Sequence, residues 1–205
     1  MSHRPFSFFR LMALSFAAIS LAAPAMVQAQ AVDGYKFLDA VKKRDGDAVT
    51  AMLNVPGNII NTRDVSNGRT AIHIVTERRD LTWMNFILSK GGRVDAEDNQ
   101  GITPLLIATQ LRYADGIALL LDKGANVNKG DGQGVTPLIR AVLNRDLPTV
   151  RLLVARGANP DQGDTVTGLS ARDQAKRDPR AAMILQALSA PKAAPARPVM
   201  GPSIK

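Results

Sequence analysis

Between Asp64 and Asp161 the apolar residues fall into short paired stripes, separated by polar, glycine-bearing turns. One pair is Leu105, Ile107 and Ala108, then Ile117, Leu119, Leu120 and Leu121; the next is Leu138, Ala141 and Val142, then Val150, Leu152, Leu153 and Val154. Steps of three and four place each stripe on one side of a helix. The pattern predicts two helices per unit, each about ten residues long, a length that is marginal alone in water. Neither helix can bury its stripe inside its own unit, so the neighbouring unit must supply the opposite wall.

The units are copies. Gly68-Arg69-Thr70-Ala71-Ile72-His73, Gly101-Ile102-Thr103-Pro104-Leu105-Leu106 and Gly134-Val135-Thr136-Pro137-Leu138-Ile139 follow one another at intervals of 33 residues. A second phrase keeps the same interval, with its glycines at Gly91, Gly124 and Gly157. A fixed period of this size means a stack of small units. Thr103 and Thr136 suit N-caps, and Pro104 and Pro137 take the first helical position, where a missing N–H costs nothing. Gly91, Gly124 and Gly157 stand where a left-handed residue would end the second helix.

The Thr-Pro-Leu helix start and the Gly-Ala-Asn-Val-Asn exit resemble the ankyrin repeat over roughly residues 33–189. The resemblance implies an all-α solenoid of about five helix-turn-helix units joined by β-turn fingers, with binding as the usual role. The register gives units at about 33–63, 64–97, 98–130, 131–163 and 164–189. The second has Ile72, Ile74 and Val75 on its first helix, then Trp83, Met84, Phe86, Ile87 and Leu88 on its second, where Trp83 is expected in the core. The fifth starts one residue late, because the fingers beginning at Asp64 and Asp164 hold five residues and those at Asp98 and Asp131 hold four. The first unit lacks the Thr-Pro-Leu phrase, as a terminal unit with a water-facing side can.

Both ends differ from the repeats. Residues 1–29 carry Arg4 and Arg10, no acid, an apolar run from Leu11 to Ala23 and a small-residue stretch ending at Ala29. This is the layout of a secretory signal peptide cleaved after Ala29; the alternative, an uncleaved anchor, meets a run shorter than the roughly 20 apolar residues a spanning helix needs. In a bacterium the mature protein is then expected in the periplasm or outside the cell, with no membrane span. Residues 190–205 contain Pro191, Pro195, Pro198 and Pro202 with Lys192, Arg197 and Lys205. They predict an extended, disordered tail, or else a charged tether for an anionic envelope surface.

Charge is unevenly shared. The chain has a formal charge of +8, which falls to +3 once the leader and tail are set aside. Interspersed signs on a repeat domain describe a solvated surface, and no nucleic-acid partner is expected. One basic feature does recur: Arg44, Arg79, Arg112 and Arg145 stand at equivalent first-helix ends, three of them followed by Asp45, Asp80 and Asp146. Two readings apply to this ladder: cations stabilising helix C-termini, or a stripe accepting carboxylates or phosphates.

Catalysis has little to work with. Histidine occurs only at His3 and His73, and cysteine is absent. His73 holds a position that, by the resemblance, makes hydrogen bonds between units. Gly130-Asp131-Gly132-Gln133-Gly134 lacks the Lys-Ser/Thr and the preceding strand of a phosphate loop. No enzyme, metal or cofactor is expected.

Binding remains. By the resemblance, partners are gripped by finger tips and the exposed side of the first helices. In the second unit these are Arg63, Val65, Ser66, Asn67 and Arg69, with Arg79 of the ladder. The third supplies Glu97, Asn99, Gln100, Ile102, Gln110, Leu111, Arg112 and Tyr113, and the fourth Gln133, Val135, Leu143, Asn144 and Arg145. Tyr113 is the expected hot spot, since a half-wet aromatic ring often dominates an interface. The expected role is a monomeric, non-enzymatic scaffold or regulator that binds a protein. The alternative is an envelope component holding anionic glycan or lipid through the tail and the arginine ladder.

Overall fold

A computed structural model of the chain describes residues 22–55 and 59–189. Residues 1–21 of the expected leader and the expected tail from 190 onward lie outside it. Among the described residues the helices pair as the stripes predict. The pairs are α1 (Ala22–Lys43) with α2 (Gly46–Leu53), α3 (Ala71–Glu77) with α4 (Leu81–Ser89) and α5 (Pro104–Gln110) with α6 (Ala114–Asp122). They continue with α7 (Pro137–Leu143) and α8 (Leu147–Ala155), then α9 (Ala171–Arg177) and α10 (Ala182–Leu188), joined by a 3-10 turn at Pro179–Ala181. From the second unit to the fourth, first helices have seven residues and second helices nine, below the predicted ten. Helix α1 has 22 residues and runs through Ala29 without a break. No helix among the described residues is long and apolar enough to cross a membrane.

The first helices form one layer, in which α1, α3, α5, α7 and α9 touch in succession; α4 packs on α6 and α8 on α10 in the other. The core between the layers repeats with the sequence. Ile72, Leu105 and Leu138 are equivalent and at most 1 % exposed, and Met84, Ile117 and Val150, equivalent on the second helices, are fully buried. Burying a side chain of this size contributes about 1.5–3 kcal/mol.

Caps set where each helix starts. The Thr103 hydroxyl accepts the Leu106 N–H at 3.3 Å and that of Thr136 accepts the Ile139 N–H at 3.2 Å, with Pro104 and Pro137 next in line. Asp45, Asp80 and Asp146, expected as neighbours of the ladder arginines, cap the second helices by accepting from Ala48, Trp83 and Thr149. Tyr113 stands at the corresponding place before α6 and makes no such bond.

The helix ends share one backbone device. Gly91, Gly124 and Gly157 have φ of 91°, 88° and 89°, as expected of left-handed terminators. Arg44, Arg79, Arg112 and Arg145 have φ of 61°, 56°, 52° and 52° and end the first helices in the same way. After α5, Arg112 donates to Thr109 O and Tyr113 donates to Ala108 O; after α6, Gly124 donates to Leu121 O and Ala125 to Leu120 O. Each pair is a Schellman end, which satisfies carbonyls the helix leaves free. A non-glycine residue in that conformation costs about 1–2 kcal/mol, so the arginines must recover something elsewhere.

Candidate interaction surface

The arginines recover it across the unit boundary. Arg79 Nη2 donates to Leu111 O at 2.6 Å, and Arg112 makes the same bond to Asn144 O. Leu111 and Asn144 are the C-caps of α5 and α7. Arg145 Nε pairs with Asp178 at 2.6 Å and Arg44 with Asp80 at 3.2 Å. Arg79 and Arg112 therefore do stabilise helix C-termini, but those of the next unit and not their own, whereas Arg44 reaches the cap at the start of α4. At the fifth unit the Arg145 guanidinium holds Asp178 below the usual carboxylate range. Leu111 and Asn144, two expected contact residues, lend their carbonyls to this column and are half-buried.

Two other columns cross the boundaries. His73 is fully buried; its Nδ1 accepts the Thr70 N–H at 3.1 Å and its Nε2 donates to Ile102 O of the third unit at 3.0 Å. Burial holds its pKa below the ordinary histidine value. In the exit loops, side-chain oxygens of Asn61, Asp95 and Asn128 accept backbone N–H groups of Arg93, Asn126 and Asn159 one unit on. Asp161, next in that series, holds Arg172 at 2.6 Å.

The fingers are tied to one another. Asn99, Gly132 and Thr165 donate to Asn67 O, Gln100 O and Gln133 O at 2.9, 2.9 and 2.8 Å. Neighbouring backbones run so close that a Cβ on Gly101 would lie 2.6 Å from Gly132 N. Inside each finger an aspartate folds the turn; Asp64 accepts the Ser66 hydroxyl at 2.6 Å and its N–H at 3.0 Å, and these bonds hold its pKa at about 2. Of the expected finger contacts, Asn67, Asn99, Gln100 and Gln133 are exposed, while Ile102 and Val135 are half-buried. Arg63 is bonded to Glu97 O and to Asn99. Arg69 bridges Glu77 at 2.8 Å, and Glu97 pairs with Lys129.

Where fingers meet the first-helix layer, Lys42, Asp64, Asn67, Arg69, Ile74, Glu77 and Arg78 line a cleft of about 260 Å³. The same edge of the layer continues along the stack. Lys42, Glu77, Gln110, Leu143 and Arg177 take the last helical turn of α1, α3, α5, α7 and α9, and all five are exposed. Leu143 is 54 % exposed, the large apolar residue of the column. Gln110 and Leu143 were expected there; Lys42, Glu77 and Arg177 were not, although the 33-residue spacing from Gln110 to Glu77 reveals the position.

Tyr113 is half-wet as expected, and Trp83 departs from expectation. The Tyr113 ring is half-buried against Gly116, where a Cβ would lie 2.4 Å from the ring. Burial, then Asp115 and Asp80, raise its phenol pKa. Trp83 lies only partly in the core, edge-on to Phe86 at 5.8 Å with the Arg78 guanidinium 5.7 Å from its ring.

Helix pairs stacked in two layers and joined by linked fingers define a helical repeat solenoid. A family model for ankyrin repeats, in three copies, matches residues 37–131 and again 84–164. The two matches together span more than half of the chain, which belongs to the ankyrin repeat family. Its fold is that of a protein–protein interaction module, in a family that is generally non-enzymatic.

Proposed function

We propose that this protein is a docking module of the bacterial periplasm or the secreted fraction, capturing a protein partner along the edge between fingers and first helices. The carrying observation is the contrast between two adjacent columns. At positions 79, 112 and 145 the residue is always arginine and is spent on holding the next unit. Two residues earlier, at 77, 110 and 143, acid, amide and aliphatic alternate, and all are exposed. A column with one structural task needs one residue type; a column that varies while exposed provides a sequence of different contacts. Leu143 is the apolar anchor, with polar groups on both sides of it, the arrangement in which a few buried residues carry most of an interface's energy.

Secretion is supported by the arginine-bearing, acid-free start and the apolar run of residues 11–23. Amino-terminal sequencing of the protein accumulated by its cells tests it: a start at Gln30 supports export, and an intact Met1 contradicts it. Affinity capture from a periplasmic extract tests docking. Leu143→Asp should lower recovery of a captured protein about tenfold, the effect of losing a buried anchor, with melting unchanged. Equal recovery by wild type and variant would remove this edge from consideration.

A further inference from the structure

From the second unit to the fifth, the second helices are capped by Lys90, Lys123, Arg156 and Ser189, at intervals of 33 residues. In the exit loops that follow the first three, a backbone N–H reaches a side-chain oxygen of the preceding unit: Arg93 on Asn61, Asn126 on Asp95 and Asn159 on Asn128. The next acceptor is Asp161, and the step of 31 residues kept by the last two bonds leads from it to Lys192. At this end of the stack lies a groove of about 450 Å³. Val154, Ala158, Pro160 and Leu188 give it an apolar lining, completed by Arg172 and Ser189. Pro160 follows Val94 and Val127 at the 33-residue interval, and all three are half-buried. Arg172 holds Asp161 at 2.6 Å and donates to Leu188 O and the Ser189 hydroxyl at 3.3 and 3.4 Å. The Asp161 carboxylate and the end of α10 are therefore one guanidinium apart.

We propose that this groove receives residues 190–195 of the same chain, Ala-Pro-Lys-Ala-Ala-Pro, and that Asp161 accepts the backbone N–H of Lys192, carrying the exit-loop column one step further. The segment follows directly on Ser189, which lines the groove, so it is delivered there at high effective concentration. Five of its six residues are alanine or proline, which cover apolar surface with no side-chain rotamer freedom to lose. The path differs from that of the earlier loops. Ala158 returns its N–H to Leu153 O, whereas Pro191, at the equivalent place, has none to return to Gln186 O. Ala190, just before a proline, is directed to extended backbone, and Arg172 supplies the donor at the end of α10 instead. Three extended residues span up to about 10 Å, enough to bring Lys192 from Ser189 across a guanidinium to Asp161. A carboxylate oxygen already bonded to Arg172 keeps a lone pair for that N–H. The tail expected to be disordered is then held over its first six residues, and the fifth unit gains the cover that a terminal unit of a stack requires.

Nuclear magnetic resonance on the nitrogen-15-labelled protein, in the form its cells accumulate, tests the proposal. In wild type the heteronuclear NOEs of Lys192, Ala193 and Ala194 should match those of α8 and exceed those of Val199 and Lys205. The Lys192 N–H should exchange about tenfold more slowly than in a free peptide of the same sequence, the protection one net hydrogen bond gives. Lys192→Pro removes that N–H and should bring Ala193 and Ala194 to the values of Lys205, whereas Lys192→Ala keeps it and should leave them unchanged. Neither substitution touches a helix, and unchanged helical circular dichroism verifies the fold. Wild-type values at Ala193 and Ala194 equal to that of Lys205 would overturn the proposal. So would release by Lys192→Ala, or no release by Lys192→Pro. Order at these residues that vanishes on dilution would also overturn it, and would give the groove to the tail of a second copy.

Discussion

In each unit from the second to the fourth the two helices end in the same backbone shape, yet first helices end on arginine and second helices on glycine. Glycine needs no justification in a left-handed conformation, and a Cβ at Gly91 or Gly124 would meet nothing within 4 Å. The difference therefore lies in what the side chain finds. Beyond the first-helix end it finds the C-cap carbonyl of the next unit, or Asp178 at the fifth. A strained residue is tolerated where its side chain ties two units together. In a stack without a single core, such ties are the means by which neighbours stabilise each other.

Removing the deepest tie should hurt most. His73→Ala deletes a buried ring and the crossing bond to Ile102 O; a cost of about 3 kcal/mol is expected from the lost bond and the cavity, read by urea unfolding. Next comes an exchange of terminators. Gly124→Arg puts the first helices' residue at a second-helix end, and should cost the same about 1–2 kcal/mol as Gly124→Ala. If the arginine variant is clearly better than the alanine one, second-helix ends also offer partners and the contrast weakens.

The converse exchange separates strain from bonding. Arg112→Ala keeps the strain and loses the bond, for about 1 kcal/mol, whereas Arg112→Gly loses both and should come out near neutral by the same reckoning. Equal losses in the two variants would show that the left-handed conformation carries no cost here.

Acid should produce the smallest effects. The folded His73 resists a proton that the unfolded chain accepts near 6.5, so its contribution is complete above that pH and declines as pH falls through it. The Asp64 carboxylate, held at about 2 against an ordinary 3.8, contributes above that range and loses its contribution as pH falls between those values. Stability measured from pH 8 to pH 2 should decline in two stages, the first absent in His73→Asn.

Much of this architecture can be read directly from spacing. Thr103, Pro104 and Gly124 announce helix starts and stops because each performs a backbone task that few residues can. The arginine ladder was visible as a period, but not its destination, since reaching Leu111 O depends on how far one unit lies from the next. Its apolar run places Trp83 in the core, yet it is half-buried beside Phe86 and the Arg78 guanidinium, contacts that the chain alone does not show. Glu77 and Arg177 were missed because a residue that differs in every unit leaves no repeated phrase, although its position does repeat.

The ladder arginines are spent between units. Equilibrium unfolding of the Arg79→Gln, Arg112→Gln double variant measures this most directly. Two crossing bonds lost at separate boundaries should lower stability by about 2 kcal/mol, with helical content in the absence of denaturant unchanged. Unfolding that coincides with the wild type would mean that these arginines hold nothing together, and that the column beside Leu143 is available for another purpose.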